Sequence, residues 1–444
     1  MPTIAISVPT GSHHRALLQP LRDFFVREPD WNILIISPGA PWAEELFPAT
    51  VYPRPKFTFA ETKTSEWQAP ATQAMLRALY RERRPTLVLT TTTGRDPVDR
   101  PILAVANKLG IRTCTFVESW DNVWKMARKR AEQVIPDHLI VWNEIMKSHL
   151  LREFPELSAD RVSVTGAPRL DYFQHQDNLP SREHLFDDLG LDPKKRLLHL
   201  ATVELYDMSY VAEHIREAKR RGHLPADLQL YASMHPGSGK PDMHTPWAEK
   251  YGYTLRYSFG RRDAAPHPDF LFNPTMEEML RLVALWRETD VMVNFSSTAA
   301  LESMLADRPT IAVLYGKATL ADVINPMQWL AMSEQHKNGV GGPSTPRAAR
   351  RSGSFSSLPL VEWWNWRRSA VVRDFREHYR DLVRGGGVRV VRHRRDLIPT
   401  IQDSLADPER DHDGRQRSCE IIMTTLKGDA SEKTFAVIKK LVSG

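Results

Sequence analysis

Apolar and polar positions along this chain fall into two successive sets of short apolar runs, separated by segments of helical period. The first set is TIAISV (3–8), NILIIS (32–37), TLVLTT (86–91), TCTFVE (113–118), LIVWN (139–143) and VSVTG (162–166). Strands covered by helices on both faces give near-continuous apolar runs of this kind. Between them lie the helix-like segments HRALLQPLRDFFVRE and ATQAMLRALYRERR; in the later part MEEMLRLVALWRETD and STAALESMLAD carry apolar residues at three- and four-residue spacing. Strand, helix and strand repeated in this order predict a parallel, doubly wound sheet. The pattern restarts with RLLHLATVE (196–204), LQLYASMHP (228–236), TLRYSF (254–259), DVMVNFSS (290–297), TIAVLY (310–315) and VRVVRH (388–393).

Two sets predict two α/β domains, each Rossmann-like, and a chain of 444 residues is long enough for both cores. The expected organisation is an N-terminal domain over 1–173, a polar linker over 174–195 and a C-terminal domain over 196–414. Residues 333–368 are Gly-, Ser-, Pro- and Arg-rich at first and end in VEWWNWRR; they read as an inserted loop. Residues 415–444 read as closing helices that return to the first domain. Two such domains are expected to place a ligand cleft at the carboxyl ends of their strands, so the chemistry is sought in the loops that follow strands.

Composition narrows the function. The net charge of +6 favours anionic small molecules, acidic glycans or lipid head groups, and no nucleic-acid-binding motif is present. Cys114 and Cys419 are the only cysteines, which gives neither a disulfide framework nor a zinc site and fits a reducing cytoplasm. No apolar run reaches the roughly 20 residues of a membrane helix, and the start has no basic leader followed by a long apolar stretch, as a signal peptide would. Clustered Trp beside Arg in VEWWNWRR suits a peripheral membrane or glycan contact; it also suits indoles packed in a helix beneath snorkelling arginines.

The most informative loop is MVNFSSTAALE (292–302), where a strand runs into a helix through Ser296, Ser297 and Thr298. A helix N-terminus carries unpaired N–H groups and partial positive charge, and small hydroxyl residues let a phosphate approach it. A cap needs one hydroxyl, leaving two for a ligand. Glu302 lies too far along for a capping box and is a candidate acceptor for ribose or sugar hydroxyls. A second loop, YASMHPGSGK (231–240), puts His235 and Pro236 directly after a strand, where an imidazole can donate to phosphate.

His-Pro after one strand and Ser-Ser-Thr after a later one resemble the motifs of GT-B-fold glycosyltransferases. The resemblance is to the bacterial sialyltransferase-like and CDP-glycerol glycerophosphotransferase-like group. FVESWDNVWKMARKR, PDHLIVWNE and VTGAPRLDYF resemble the first half of that group. The resemblance implies two Rossmann-like domains facing across a cleft, with a nucleotide-activated sugar held by His235, Pro236, Ser296, Ser297 and Thr298. It implies a glycan or glycolipid acceptor of a bacterial surface polymer, and an enzyme in the cytoplasm or at the inner face of the membrane.

In the first half, FVESWDNVWK (116–125) places Glu118 and Asp121 around Trp120 after a strand. An indole face stacks on a sugar ring and a carboxylate takes a hydroxyl proton. The loop PTGSHHRAL (9–17) offers His13 and His14 as base or acceptor contacts, one of the two being expected at the surface. The base is thus Glu118, Asp121 or His13. Arg169 is a candidate for donor phosphate. No Asp-x-Asp motif follows a strand, so no metal or other cofactor is expected, and the leaving phosphate is expected to rest on a helix N-terminus and basic side chains. Three further readings stay open: transfer of a polyol phosphate from a CDP donor, nucleotide-sugar 2-epimerisation, and binding of nucleotide or glycan without catalysis.

Overall fold

The structure, a computed structural model, describes residues 1–38, 46–62, 69–92, 94, 99–174, 178–203, 206–234, 243–258, 274–318, 320 and 359–444. His235 and Pro236 lie outside the described residues, as does the inserted loop up to residue 358.

Two compact units divide the chain. One comprises Met1–Asp177, Gly260–Glu277 and Glu420–Gly444; the other comprises Asn178–Phe259 and Glu278–Cys419. The first is built on a seven-stranded sheet in the order β3-β2-β1-β4-β5-β6-β7. Its strands are β1 (Thr3–Ser7), β2 (Asn32–Pro38), β3 (Phe57–Thr62), β4 (Leu87–Thr92), β5 (Arg112–Val117), β6 (His138–Val141) and β7 (Val162–Val164). Every pairing is parallel; Ile6 of β1, for instance, lies between Ile35 of β2 and Leu89 of β4. The apolar runs are buried on both faces because helices cover both. Leu76 and Tyr80 of Pro70–Arg83 and Ile102, Val105 and Ala106 of Arg100–Lys108 close over Ala5, Leu34 and Val88. Strand β3 has no counterpart among the expected strands. It lies at the sheet edge, with Thr58, Phe59 and Ala60 half-buried and Glu61 exposed, so FTFAET carries no continuous apolar run.

The second unit holds a six-stranded parallel sheet in the order β10-β9-β8-β11-β12-β13. Its strands are β8 (Arg196–Ala201), β9 (Leu228–Met234), β10 (Thr254–Tyr257), β11 (Val291–Asn294), β12 (Thr310–Val313) and β13 (Val388–Val391). Val211, Ala212 and Ile215 of the helix Ser209–Arg220 pack on Leu198, Leu200 and Leu230, with Val291 and Ile311 in the same core.

Strand order reverses between β1 and β4 in the first sheet and between β8 and β11 in the second. At such a reversal the connections leave in opposite directions and open a crevice at the carboxyl edge.

One stretch differs from the expected linker. Residues 174–195 contain the helix Arg182–Leu189, capped by the Ser181 hydroxyl and ended by Gly190 at φ 72°. Leu185 and Phe186 bury against Leu197, Tyr231 and Leu285, so this stretch is part of the second unit's core. At the other end, the helix Ala430–Ser443 belongs to the first unit. Its N-terminus is capped by Asp171, which accepts from Ala430 N (3.3 Å) and Ser431 N (2.7 Å), and Phe435 packs on Phe25 and Trp31.

Candidate active site

The loop after β1 enters a helix that is not regular. Gly11–His13 is followed by a π-turn over His14–Leu18 and then by the α-helix Gln19–Arg27. Pro20 explains the wide turn: it has no N–H to offer and its ring crowds the preceding carbonyls. At the helix entry, the Thr10 side chain accepts from His13 N (3.4 Å). This fixes His13 at the carboxyl edge of β1, where the strand order reverses.

Three segments deliver acid–base groups to this point. His13 Nε2 stands 3.3 Å from Asp99 Oδ2, and His13 Nδ1 stands 3.5 Å from Glu118 Oε1. Glu118 leaves the end of β5, and Asp99 opens the helix that follows β4. All three are nearly sealed, at 3%, 4% and 6% exposure for His13, Asp99 and Glu118. Hydroxyls hold the rest of the cluster. Ser12 Oγ donates to Glu118 Oε2 and Thr91 Oγ1 to Glu118 Oε1, each at 2.7 Å. Ser7 donates to Asp99 Oδ1, and Thr10 Oγ1 lies 2.7 Å from His13 Nδ1. Burial makes each of these contacts stronger than it would be in water. A small cavity bordered by Thr91, Thr92, Asp99 and Thr115 adjoins the cluster.

Packing behind the cluster is tight. Gly94 has φ +69°, and a Cβ there would lie 2.4 Å from Asn122 O; only glycine lets the loop after β4 pass under the helix Asn122–Arg128. Asn122 Nδ2 also donates to Thr92 O (3.3 Å), tying that helix to β4.

Several candidates from the sequence sit elsewhere than expected. Asp121 lies next to the helix start, but its side chain does not cap; it forms an ion pair with Lys125, whose Nζ also donates to Asn122 Oδ1 (3.0 Å). The carboxylate that shares an imidazole with Glu118 is therefore Asp99, not Asp121. Trp120, expected to face a sugar, is 5% exposed and packs on Trp142. His14 is buried too, with Nε2 2.5 Å from Tyr52 Oη and its ring edge-on to Phe47. Both histidines are thus interior, and His14 belongs to an aromatic core rather than to an acceptor surface. Arg169 is buried with its guanidinium 5.4 Å from the Trp142 ring centre.

In the second unit the hydroxyl turn follows β11, at the reversal with β8. Ser296 Oγ donates to Val371 O (3.4 Å), and Ser297 Oγ accepts from Asn294 Nδ2 (3.0 Å). Thr298 precedes the seven-residue helix Ala299–Leu305 in helical conformation and makes no side-chain cap. The hydroxyls therefore do not divide as one cap and two free groups: two brace the turn against its surroundings. Glu302, expected to be open to ligand hydroxyls, is buried and accepts from Trp286 Nε1 at 3.1 Å. Trp286 stacks on His199 of β8 with ring centres 4.5 Å apart. His199 is fully buried between Ser233 Oγ (2.6 Å) and Thr289 Oγ1 (3.5 Å), and burial lowers its pKa to about 3.

No family model matches the chain, and no curated protein matches it. Solved structures do. A UDP co-structure of S. aureus MnaA covers 100% of this chain and 97% of its own, at 14% identity and a TM-score of 0.60. The UDP-GlcNAc 2-epimerase of Neisseria meningitidis, bound to UDP-GlcNAc, covers 99% and 100% at 12% identity and a TM-score of 0.59. A Rickettsia africae glycosyltransferase covers 99% and 98% at 12% identity and a TM-score of 0.54. The fold is of the GT-B type. At these identities the likeness is one of architecture, and the two sheet reversals described above are where an open α/β sheet leaves a crevice at its carboxyl edge.

The sequence reading missed Asp99, Ser12 and Thr91. A signal for two of them existed. TLVLTTTTGRDPVD (86–99) ends a strand in hydroxyls and meets two acids, Asp96 and Asp99, within one loop, the same order of groups as in residues 292–302.

Proposed function

We propose that this chain transfers a sugar from a nucleotide-activated donor to a hydroxyl of a glycan or glycolipid acceptor, with the chemistry drawn from the His13 cluster of the first unit. One observation carries the reading: an imidazole held between two buried carboxylates, Asp99 and Glu118, at the reversal of a doubly wound sheet. Such an imidazole can take the proton of an acceptor hydroxyl, and the flanking carboxylates stabilise the imidazolium that forms. The acceptor oxygen then bonds to the anomeric carbon as the bond from that carbon to the nucleotide phosphate breaks. The nucleotide leaves with the electron pair, and the hydroxyl turn after β11 is the candidate place for its phosphate. The acceptor belongs by this reading to the same broad group of surface-polymer enzymes that the motifs resemble. Among the described residues no helix is long and apolar enough to cross a membrane.

A second reading has its own support. Epimerisation beside a nucleotide needs more than one acid–base group, and the cluster supplies three within 3.5 Å contacts. Solved structures of UDP-GlcNAc 2-epimerases share the fold. Incubation with UDP-GlcNAc in deuterated water separates the two. A transferase consumes donor only when an acceptor is added and leaves the ring hydrogens in place. Deuterium entering the sugar at C2, with a C2 epimer formed in the absence of acceptor, would overturn the transfer reading in favour of epimerisation.

A further inference from the structure

The second unit holds a cavity of about 670 Å³ at the carboxyl edge of β12 and β13, bordered by Tyr315 after β12 and Arg392 after β13. This is a size range that takes small organic ligands. The cavity does not include the hydroxyl turn. The helix Ala370–Asp374 stands between them: Val371 O accepts from Ser296, while Val372 and, just beyond the helix, Phe375 border the cavity.

Its wall is chemically unusual in two ways. Arg376, Arg380 and Arg392 all border it, all are exposed, and among the described residues no acidic side chain pairs with them. Two nearby acids are engaged elsewhere, Glu362 with Lys317 (3.9 Å) and Asp381 with Arg384 (3.7 Å). Three guanidinium groups in one concavity, Arg392 also lying 5.8 Å over the Phe375 ring centre, repel each other and raise the local concentration of anions. Their planar forks match the oxygens of a phosphate group. The second feature is aromatic. Trp363 and Trp366 line the same space. Trp366 is held by Phe295, at a ring separation of 5.4 Å, and lies on Gly316, where a Cβ would come within 2.6 Å of its ring. The glycine is what allows an indole to form this wall.

We propose that this cavity is a second ligand site, for a phosphorylated sugar whose phosphate rests on Arg376, Arg380 and Arg392 and whose ring stacks on the tryptophan wall. Arginine for the phosphate and indole for the sugar face explain why both residue types meet in one pocket. The phosphate can come from a free sugar phosphate or from the headgroup of a lipid-linked sugar, since both present the same groups. The site is independent of the nucleotide reading above, and binding is measured without turnover.

The test is titration calorimetry of the full chain with glucose 1-phosphate, the octyl diester of glucose 1-phosphate, inorganic phosphate and glucose. Glucose 1-phosphate is expected to bind, inorganic phosphate and glucose at least tenfold more weakly. The double variant Arg376→Ala, Arg380→Ala and the single variant Trp363→Ala are each expected to weaken glucose 1-phosphate at least tenfold, with thermal melting unchanged for the exposed arginines. Tighter binding of the octyl diester assigns the lipid-linked source; equal or weaker binding assigns the free sugar phosphate. The proposal is overturned if glucose 1-phosphate does not bind, if inorganic phosphate binds as tightly, or if the arginine variants bind as the parent does. Competition by UDP would also overturn it, because the cavity would then be the nucleotide site. Failure of UDP to bind anywhere would sink the transferase reading and leave this one standing.

Discussion

His13 Nε2 and Asp99 Oδ2 stand 3.3 Å apart at the point where the first sheet reverses its strand order. One comes from the loop after β1, the other from the segment after β4, and those strands are neighbours only because the sheet is doubly wound. Glu118 completes the arrangement from β5. Topology therefore assembles the acid–base group, and the hydroxyls of Ser7, Thr10, Ser12 and Thr91 orient it.

From this geometry His13→Ala is expected to lower kcat by ~10²–10⁴-fold, the usual contribution of general acid–base catalysis. Asp99→Asn and Glu118→Gln are each expected to lower it, while binding of nucleotide measured by calorimetry stays within a few-fold of the parent. Groups that act as a unit do not add, so the triple variant should be little worse than His13→Ala. A His13→Ala enzyme with parental turnover would remove the cluster from the chemistry.

Asp121 plays another part. Its ion pair with Lys125 is largely shielded from water, at 11% and 15% side-chain exposure. Lys125→Met takes a cation away from a carboxylate that is shielded from water, where the pair is stronger than at the surface. Lys125→Met should therefore lower the stability read from urea unfolding, and adding Asp121→Asn should restore part of it. Turnover per folded molecule is expected to survive in the double variant. A loss of turnover matching that of His13→Ala would return Asp121 to the list of bases.

Much of the fold was legible because a strand buried on both faces leaves an apolar run that needs no context. Strands β1, β2 and β4 to β13 were all marked by such runs. Strand β3 was not, since an edge strand is only half covered and FTFAET mixes polar and apolar positions. The helix Arg182–Leu189 hid within a polar stretch because just Leu185 and Phe186, with Leu189 partly buried beside them, face inward. The site was legible only as separate loops. Glu118 and His13 could be picked out by residue type and position after a strand, but nothing local told that their shared partner would be Asp99 rather than Asp121. Sequence proximity favoured Asp121; the sheet reversal favoured Asp99. In the same way the chemistry of Trp120, His14 and Glu302 was legible from residue type, but not their burial against Trp142, Tyr52 and Trp286.

Chelation is expected to leave the activity intact. No Asp-x-Asp motif follows a strand, and the point on which Asp99 and Glu118 converge is filled by the His13 ring. Among the described residues, a trio with metal-ligand spacing is formed by Asp307, Glu409 and His412, before β12 and so away from the carboxyl edge. There Asp307 is already held by Arg415 (2.7 Å) and His412 (2.8 Å). Turnover assayed with and without EDTA should agree within error. Loss of activity that magnesium or manganese restores would mean that a cation takes part in releasing the phosphate.

The last prediction concerns the core of the second unit, where His199 links β8 to the helix that carries Trp286. Thr289 Oγ1 donates to Leu285 O (2.8 Å), which leaves its oxygen to accept from His199 Nδ1–H; Ser233 can then donate to Nε2. The network is satisfied by a neutral ring and has no place for a second ring proton. Burial accordingly holds the folded pKa at about 3, against 6.5 for the ordinary group. The sign follows from proton counting. Between those two values the unfolded chain binds a proton that the folded chain does not, so stability is full above pH 6.5 and falls as the pH drops towards 3. At pH 5 the loss from this one histidine is roughly 2 kcal/mol relative to neutral pH. His199→Gln keeps a polar side chain in the network and does not titrate. It is expected to lower stability at pH 7, through lost packing on Trp286, while flattening the decline between pH 6.5 and 5 by about 2 kcal/mol. Urea unfolding of parent and variant at pH 7, 6 and 5 measures both effects. Parallel pH curves for the two proteins would show that His199 takes up its proton in the folded state, and the neutral network would be wrong.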